Sequence, residues 1–134
     1  MLKVFILKLT TSDYMAGYRD LKVWQAAMQL AGEVYRLSAR LPKHETYGLA
    51  SQLQRSAVSL PSNIAEGHGR NSSKEFNHFL GIALGSLAEL ETQVILAQNL
   101  NYLTEEEINQ ALHIASEIGK MLKGLQKSLT PTND

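Results

Sequence analysis

Glu75 and His78 are the pair of residues whose types and spacing come closest to a reaction centre. A Glu-x-x-His motif on a helix supplies two ligands of carboxylate-bridged di-iron bundles, but those sites need two such motifs and a glutamate from each of the other two helices. None of the other three histidines has a glutamate three residues before it. We therefore expect no metal site and interpret the pair as surface residues beside a helix start.

Other catalytic patterns are also incomplete. Serine, histidine and aspartate are present without a Gly-x-Ser-x-Gly elbow to frame them. Gly67-His68-Gly69-Arg70 has the look of a phosphate-binding turn, but it follows a helix and lacks the lysine and the full glycine spacing of a P-loop. Cysteine is absent, which excludes thiolate chemistry and disulfides. We expect a protein that is not an enzyme and that has no cofactor and no small-molecule substrate.

Pro61 interrupts a segment that otherwise has the apolar spacing of a single helix. A proline inside a helix removes one donor and presses on the carbonyl four residues back, here that of Ala57, at a cost of about 3 kcal/mol. We predict a kink at Pro61. Ser62 and Asn63 follow it, and two roles stay open for these polar residues: compensation for the lost amide, or a polar contact between subunits near the axis of a ring.

Four helical segments are predicted, and two of the connections between them contain a proline or glycine that ends the preceding helix. They run from about Asp20 to Leu41, from about Tyr47 to Glu66, from about Ser73 to Gln98, and from Thr104 to Leu129. Asp20 is the candidate N-cap of the first, and Ser72-Ser73-Lys74-Glu75 and Thr104-Glu105-Glu106-Glu107 read as capping boxes. Gly67 and Gly69 are predicted to end the second helix in the left-handed conformation. Long helices with short loops indicate an all-α, antiparallel up-down four-helix bundle over residues 18–129.

The apolar stripes predict which faces form the core. In the first helix the stripe is Leu21, Trp24, Met28, Ala31 and Tyr35. The main stripe of the third helix is Phe76, Leu80, Ala83, Leu87, Leu90, Val94 and Ala97. This helix has further apolar residues beyond its main stripe, which indicates burial on more than one face. It also has a line of small residues, and we predict that these allow another helix to approach closely, within the bundle or between subunits. They are Gly81, Gly85 and Ala88.

Charge is balanced overall but not along the chain. The 134 residues have a net charge of zero. Residues 1–45 contain seven basic and four acidic residues, whereas residues 71–134 contain four basic and eight acidic residues. Two interpretations fit this distribution. The opposite charges simply face solvent, or basic and acidic surfaces meet between copies of the protein.

Five basic side chains are the candidates for contact with nucleic acid. Arg36 and Arg40 are one turn apart and share a helix face. The chain lacks the interleaved aromatic pattern of RNA-recognition modules, and a solvated face or a subunit interface explains the same charges. The complete candidate set is Arg19, Lys22, Arg36, Arg40 and Arg55.

The two ends of the chain are predicted to be tails, covering residues 1–17 and 130–134. Met15 is a candidate for the true start, with residues 1–14 added by the choice of an upstream start. No apolar run reaches the roughly 18 residues of a membrane span, so we expect no membrane partner. The absence of cysteine fits a cytoplasmic protein.

The sequence resembles a family of four-helix-bundle proteins encoded in intervening sequences of bacterial large-subunit ribosomal RNA. The resemblance covers about residues 18–125. It is carried by Tyr18–Gln25 (YRDLKVWQ), Tyr47–Gly67 (YGLASQLQRSAVSLPSNIAEG), Lys74-Glu75-Phe76, Phe79-Leu80 and Ala83–Gln93 (ALGSLAELETQ).

The resemblance implies a bundle that assembles as a ring, typically a pentamer, with no enzymatic activity. Related members include accessory proteins of diversity-generating retroelements, which bind a reverse transcriptase and nucleic acid. Two functions are therefore expected. The first is a non-catalytic, ring-forming interaction protein whose main partner is itself. The alternative is a nucleic-acid-binding accessory protein, with RNA, DNA or a reverse transcriptase as partner.

Overall fold

The computed structural model describes residues 17–130, and the predicted tails at residues 1–17 and 130–134 lie outside them except for Gly17 and Thr130. Four α-helices form the described chain, and no strand occurs between residues 17 and 130. The helices are α1 (Lys22–Ser38), α2 (Leu49–His68), α3 (Ser73–Asn99) and α4 (Glu105–Leu129). Short 3-10 turns at Tyr18–Asp20 and Lys43–Glu45 precede α1 and α2.

The helices pack as a four-helix bundle, as predicted. Helix α1 packs against α2 and α4, and α3 packs against the same two helices, so that α1 and α3 lie on a diagonal. The most extensive packing is between α2 and α3. All four helices contribute to one core, whose largest fully buried side chains include Leu30, Leu53, Leu60, Leu80, Leu90 and Ile118. The predicted fold class is confirmed.

The prediction for the inward face of α1 is wrong. The buried residues of α1 are Val23, Ala27, Leu30, Val34, Leu37 and Ser38. Of the predicted stripe, Met28 is 48% and Tyr35 46% exposed, and Leu21, Trp24 and Ala31 are only partly buried. Helix α1 has two apolar stripes, and the one with the smaller side chains faces the core.

The predicted helix ends are only partly correct. Thr104 and Glu107 form the full capping box at the start of α4. Ser72 accepts a hydrogen bond from the Glu75 amide, but the Glu75 carboxylate lies 3.8 Å from Arg70 Nη1 instead of returning to the cap. Asp20 ends a 3-10 turn, and the N-cap of α1 is Leu21, whose side chain makes no capping hydrogen bond.

The glycines at the end of α2, Gly67 and Gly69, do not take the predicted left-handed conformation. No described glycine has a positive φ, and Gly69 has φ of −72°. Asn71 takes the left-handed conformation in this turn, with φ of 57°. Asparagine tolerates this conformation better than most residues because its short side chain bonds locally. Helix α2 therefore continues through Gly67 to His68.

Polar side chains join α2 to α3 at two levels of an otherwise apolar contact. The Ser56 hydroxyl donates to Gln93 Oε1 at 2.8 Å, and the hydroxyls of Ser59 and Ser86 are also 2.8 Å apart. Ser56 and Ser86 are buried. Because buried hydroxyls are costly when unpaired, these two bridges keep the serines compatible with the core.

Helix α3 is the one described helix that is long and apolar enough to cross a membrane, by length and composition alone. Core helices of soluble proteins share both properties, so the finding is weak evidence for a membrane span. Seven of its side chains are buried against the rest of the bundle. Its outer face is nevertheless unusually apolar, and it is described with the candidate surfaces below.

Candidate functional site

An uncharged groove runs between the outer faces of α1 and α2. Its α1 side is built on Trp24 and Met28, and its α2 side on Val58, which is 47% exposed. The side chains that line it are Tyr18, Trp24, Met28, Ala31, Val58, Pro61, Ser62 and Ala65, and we call this surface the α1–α2 groove. Because no charged group lines it, the groove is suited to an apolar partner.

The 3-10 turn before α1 contributes Tyr18 to the α1–α2 groove. The rings of Tyr18 and Trp24 meet edge to face, with centroids 5.2 Å apart. The Arg19 guanidinium lies 5.7 Å from the centroid of the Tyr18 ring, and the Gln25 side chain donates to the Arg19 carbonyl at 2.9 Å. These contacts hold an aromatic pair at the surface, where aromatic residues are typical of protein interfaces.

Pro61 lies within α2, is buried, and lines the α1–α2 groove. Ala57, four residues earlier, is fully buried, and Ser62 is exposed. The Asn63 side chain donates to the Ser59 carbonyl at 2.8 Å and contacts the Ser59 hydroxyl at 3.0 Å. Asn63 therefore has hydrogen bonds within its own helix. The predicted kink of α2 at Pro61 stays a prediction.

The outer side of α3 is a second weakly charged surface. Ile82, Ile95 and Leu96 are 39%, 43% and 43% exposed. We call this surface the α3 outer face and define it by exposed residues, which are Gly81, Ile82, Gly85, Ala88, Glu89, Thr92, Ile95 and Leu96. Glu89 is its one charged member.

The predicted close approach at Gly81, Gly85 and Ala88 does not take place tightly within the chain. A Cβ placed on Gly85 would meet nothing within 4 Å, and one on Gly81 would meet only Gln126 Nε2 at 3.6 Å. Ala88 is exposed. Of the two settings that the sequence left open, contact between subunits is the one that stays a prediction.

Gly67 is the glycine at a close helix approach, a role that was not predicted from the sequence. A Cβ there would lie 2.5 Å from Phe79 Cβ and 3.2 Å from Phe76 Cδ1. The absence of a side chain at Gly67 therefore allows α3 to lie close against the end of α2. Its position next to a helix end made a capping role the simpler interpretation.

The candidate basic residues do not gather on one surface of the chain. Arg36 forms an ion pair with Glu33, and Arg40 Nε lies 2.5 Å from Glu107 Oε2 at the start of α4. Lys22 lies about 21 Å from Arg36 along α1, given 1.5 Å per helical residue. Two further candidates lie elsewhere, Arg19 in the 3-10 turn and Arg55 exposed on α2. The surface around Arg36 and Arg40 is thus mixed in sign.

Three side chains join the two loops at one end of the bundle. Glu45 accepts hydrogen bonds from the Leu49 amide at 3.0 Å and from the Tyr102 hydroxyl at 2.9 Å. His44 Nε2 lies 3.2 Å from the same hydroxyl. The Leu49 amide, followed by the Tyr102 hydroxyl, holds the pKa of Glu45 below its usual value, and the bond to Glu45 raises the pKa of Tyr102. Every member has a structural partner, so we interpret the cluster as a loop clasp.

The remaining chemical candidates form no reaction centre in the part of the chain that is described. Glu75 points toward Arg70, and the His78 ring packs edge to face on Phe79, with centroids 5.5 Å apart. Residues 17–130 contain no group of three or more histidine, cysteine, aspartate or glutamate side chains that could hold a metal ion. The surfaces that stand out are therefore the α1–α2 groove and the α3 outer face.

Comparisons with known proteins identify relatives of this fold. Residues 19–124 match the model of the 23S rRNA-intervening sequence protein family. A crystal structure of a protein of unknown function from the S23 ribosomal protein family of Bacteroides thetaiotaomicron is similar, with a TM-score of 0.73 and 26% sequence identity. That similarity covers 78% of this chain and 98% of the other. A comparison with curated proteins gives no match. Because the family model spans most of its length, the chain belongs to the 23S rRNA-intervening sequence protein family.

Proposed function

We propose that this protein is a non-catalytic interaction protein that assembles with copies of itself into a ring, with five copies as the number that the family resemblance implies. The α1–α2 groove is the observation that carries the proposal. It places the half-exposed side chains of Met28 and Val58 beside Trp24, with no charged residue among them. Contiguous exposed apolar patches mark interaction sites, and aromatic residues and methionine are enriched in interfaces.

The lack of a reaction centre in residues 17–130 agrees with a binding role. The titratable cluster of Glu45 and Tyr102 is satisfied by its own hydrogen bonds, and it does not line the groove. Binding is thus the activity that the described surfaces support.

The first experiment measures the mass of the assembly and the environment of Trp24 together. Trp24 is the only tryptophan of the chain, so its emission reports directly on the α1–α2 groove. We expect light scattering to give a multiple of the chain mass at micromolar concentration, and we expect the tryptophan emission to shift to longer wavelength as dilution dissociates the assembly. A monomer at micromolar concentration and moderate salt would refute the proposal.

A matched pair of variants tests whether the groove is the contact. Met28→Glu places a charge in the groove at a half-exposed position, so the bundle should keep its helical circular dichroism while losing its assembly. Gln29→Glu also introduces a glutamate, at the next position, which is exposed and does not line the groove. This variant should leave the assembly intact. Equal assembly of the two variants would contradict a role for the groove.

The alternative function, a nucleic-acid-binding accessory protein, has less support from the described surface. The cations of Arg36 and Arg40 are offset by Glu33 and Glu107, which leaves a weak positive field on one chain. Its test is a titration of labelled single- and double-stranded RNA and DNA at about 50 mM salt, a condition that favours phosphate contacts. Binding at tens of micromolar protein that Arg36→Glu with Arg40→Glu abolishes would establish it, and no binding would remove it.

A further inference from the structure

We propose that the α1–α2 groove of one copy receives the α3 outer face of the next copy. This inference rests on the proposed self-assembly and names the two surfaces that make the contact. A helix laid into an apolar groove is a common mode of protein recognition, with side chains three, four and seven residues apart as anchors.

The two surfaces are complementary in shape and polarity. The groove presents partly exposed apolar side chains from two helices, among them Trp24 and Val58. The α3 outer face presents Ile82 and Leu96 fourteen residues apart, a separation that returns to nearly the same side of a helix. Gly85 lies between them with open space above it. An absent side chain at that position would let the two backbones approach closely.

Charge supports the same pairing. Residues 75–99 contain no lysine or arginine, and Glu89 is the charged member of the α3 outer face. Arg55 is exposed on α2 one turn before Val58, at the edge of the groove. Neither Arg55 nor Glu89 forms an ion pair in the described chain. One cation beside the groove and one carboxylate on the facing helix give opposite signs to the two surfaces.

The arrangement also permits repeated assembly. The groove is lined by α1, α2 and the 3-10 turn before α1, the outer face belongs to α3, and the two surfaces share no residue. One copy can therefore use its groove and its outer face at the same time. A contact between two different surfaces is heterologous, and such contacts close into rings when the rotation between copies allows it.

The test is a charge exchange. Arg55→Glu and Glu89→Arg should each raise the concentration at which half of the assembly dissociates by about tenfold, because each places like charges across the contact. The variant with both substitutions should recover the wild-type midpoint. Analytical ultracentrifugation measures the midpoint, and circular dichroism melting checks that every variant folds.

Glu91→Arg and Lys43→Glu are the matched controls. Glu91 is on the same helix but lines the α3–α4 side, and Lys43 lies in the loop before α2. Both control variants should assemble as the wild type does. If the wild type assembles and the exchanged double variant is no better than either single variant, the pairing is wrong while self-assembly stands. A monomeric wild type would overturn both proposals.

Discussion

Substitution of Gly67 by alanine tests whether the α2–α3 contact depends on a missing side chain. The added Cβ would lie 2.5 Å from Phe79 Cβ and 3.2 Å from Phe76 Cδ1. The Phe79 Cβ is attached directly to the backbone of α3, so rotation of the ring cannot move it away. Either the two helices separate locally or the contact is strained.

The balance of two effects gives the expected magnitude. Alanine is favoured over glycine in a helix interior by about 1 kcal/mol, and by less near a helix end such as that of α2. Inserting an atom into a well-packed contact costs about 1–3 kcal/mol. We therefore expect Gly67→Ala to lower the free energy of unfolding by about 1–2 kcal/mol.

Gly32→Ala is the control, because a Cβ at Gly32 would meet nothing within 4 Å. This change in the exposed side of α1 should raise the free energy of unfolding by about 0.5–1 kcal/mol. Urea unfolding at one fixed protein concentration measures both variants, since self-association makes apparent stability depend on concentration. A Gly67→Ala protein as stable as the wild type, or more stable, would refute the close-approach argument.

Three further predictions concern assembly and pH. As monomers, the Gly85→Leu variant should melt no lower than the wild type, because a side chain at that position meets open space. The variant should assemble more weakly if α3 contacts another subunit. Light scattering measures the assembly, and unchanged assembly would exclude Gly85 from the contact. Pro61→Ala should keep the helical circular dichroism and weaken assembly, whereas normal assembly with equal or higher stability would mean that a bend has no role in it. Glu45 and Glu107 have folded-state pKa values lowered first by the amides of Leu49 and Thr104, so their stabilisation is present above the unfolded-state pKa of about 4.3 and is lost as pH falls through the folded-state pKa. Urea unfolding at several pH values should show a smaller acid loss for Glu45→Gln than for the wild type, and identical pH curves would count against the loop clasp.

The architecture was predictable because helix length, capping residues and loop length agree with one another. The main apolar stripe of the third helix, which includes Leu80, Leu87 and Val94, is buried in the structure, and the capping box at Thr104 occurs there as the sequence predicts. Each of these features is local, so the sequence states it directly. The bundle then follows from short connections between long helices.

The orientation of α1 could not be predicted in the same way. Two stripes on this helix are apolar, one with Trp24 and Met28 and the other with Val23 and Ala27, and periodicity cannot rank them. In the structure the stripe with the smaller side chains is the one that faces the core. The presence of a second apolar stripe was the signal, overlooked in the sequence, for an exposed groove.

The site residues were harder because they depend on distance across the fold. Arg36 and Arg40 share a helix face, as predicted, but their pairing with Glu33 and Glu107 depends on how α1 meets α4. Gly67 likewise has a role only because Phe79 of another helix lies beside it. Sequence spacing contains no information on either contact.

The hydroxyl bridges between α2 and α3 have a consequence for how the bundle finds its alignment. A leucine-lined contact is nearly periodic, so sliding one helix by a turn, about 5.4 Å, can exchange one apolar neighbour for another at little cost. The bridges from Ser56 to Gln93 and from Ser59 to Ser86 exist at only one axial offset. Slippage would break both bridges: Ser56 would keep its bond to the Leu53 carbonyl and Ser59 its contact with Asn63, but the buried Ser86 would lose its Ser59 partner, at about 1–3 kcal/mol. The serines thus act as an axial register lock, which disfavours shifted pairings more than it strengthens the correct one.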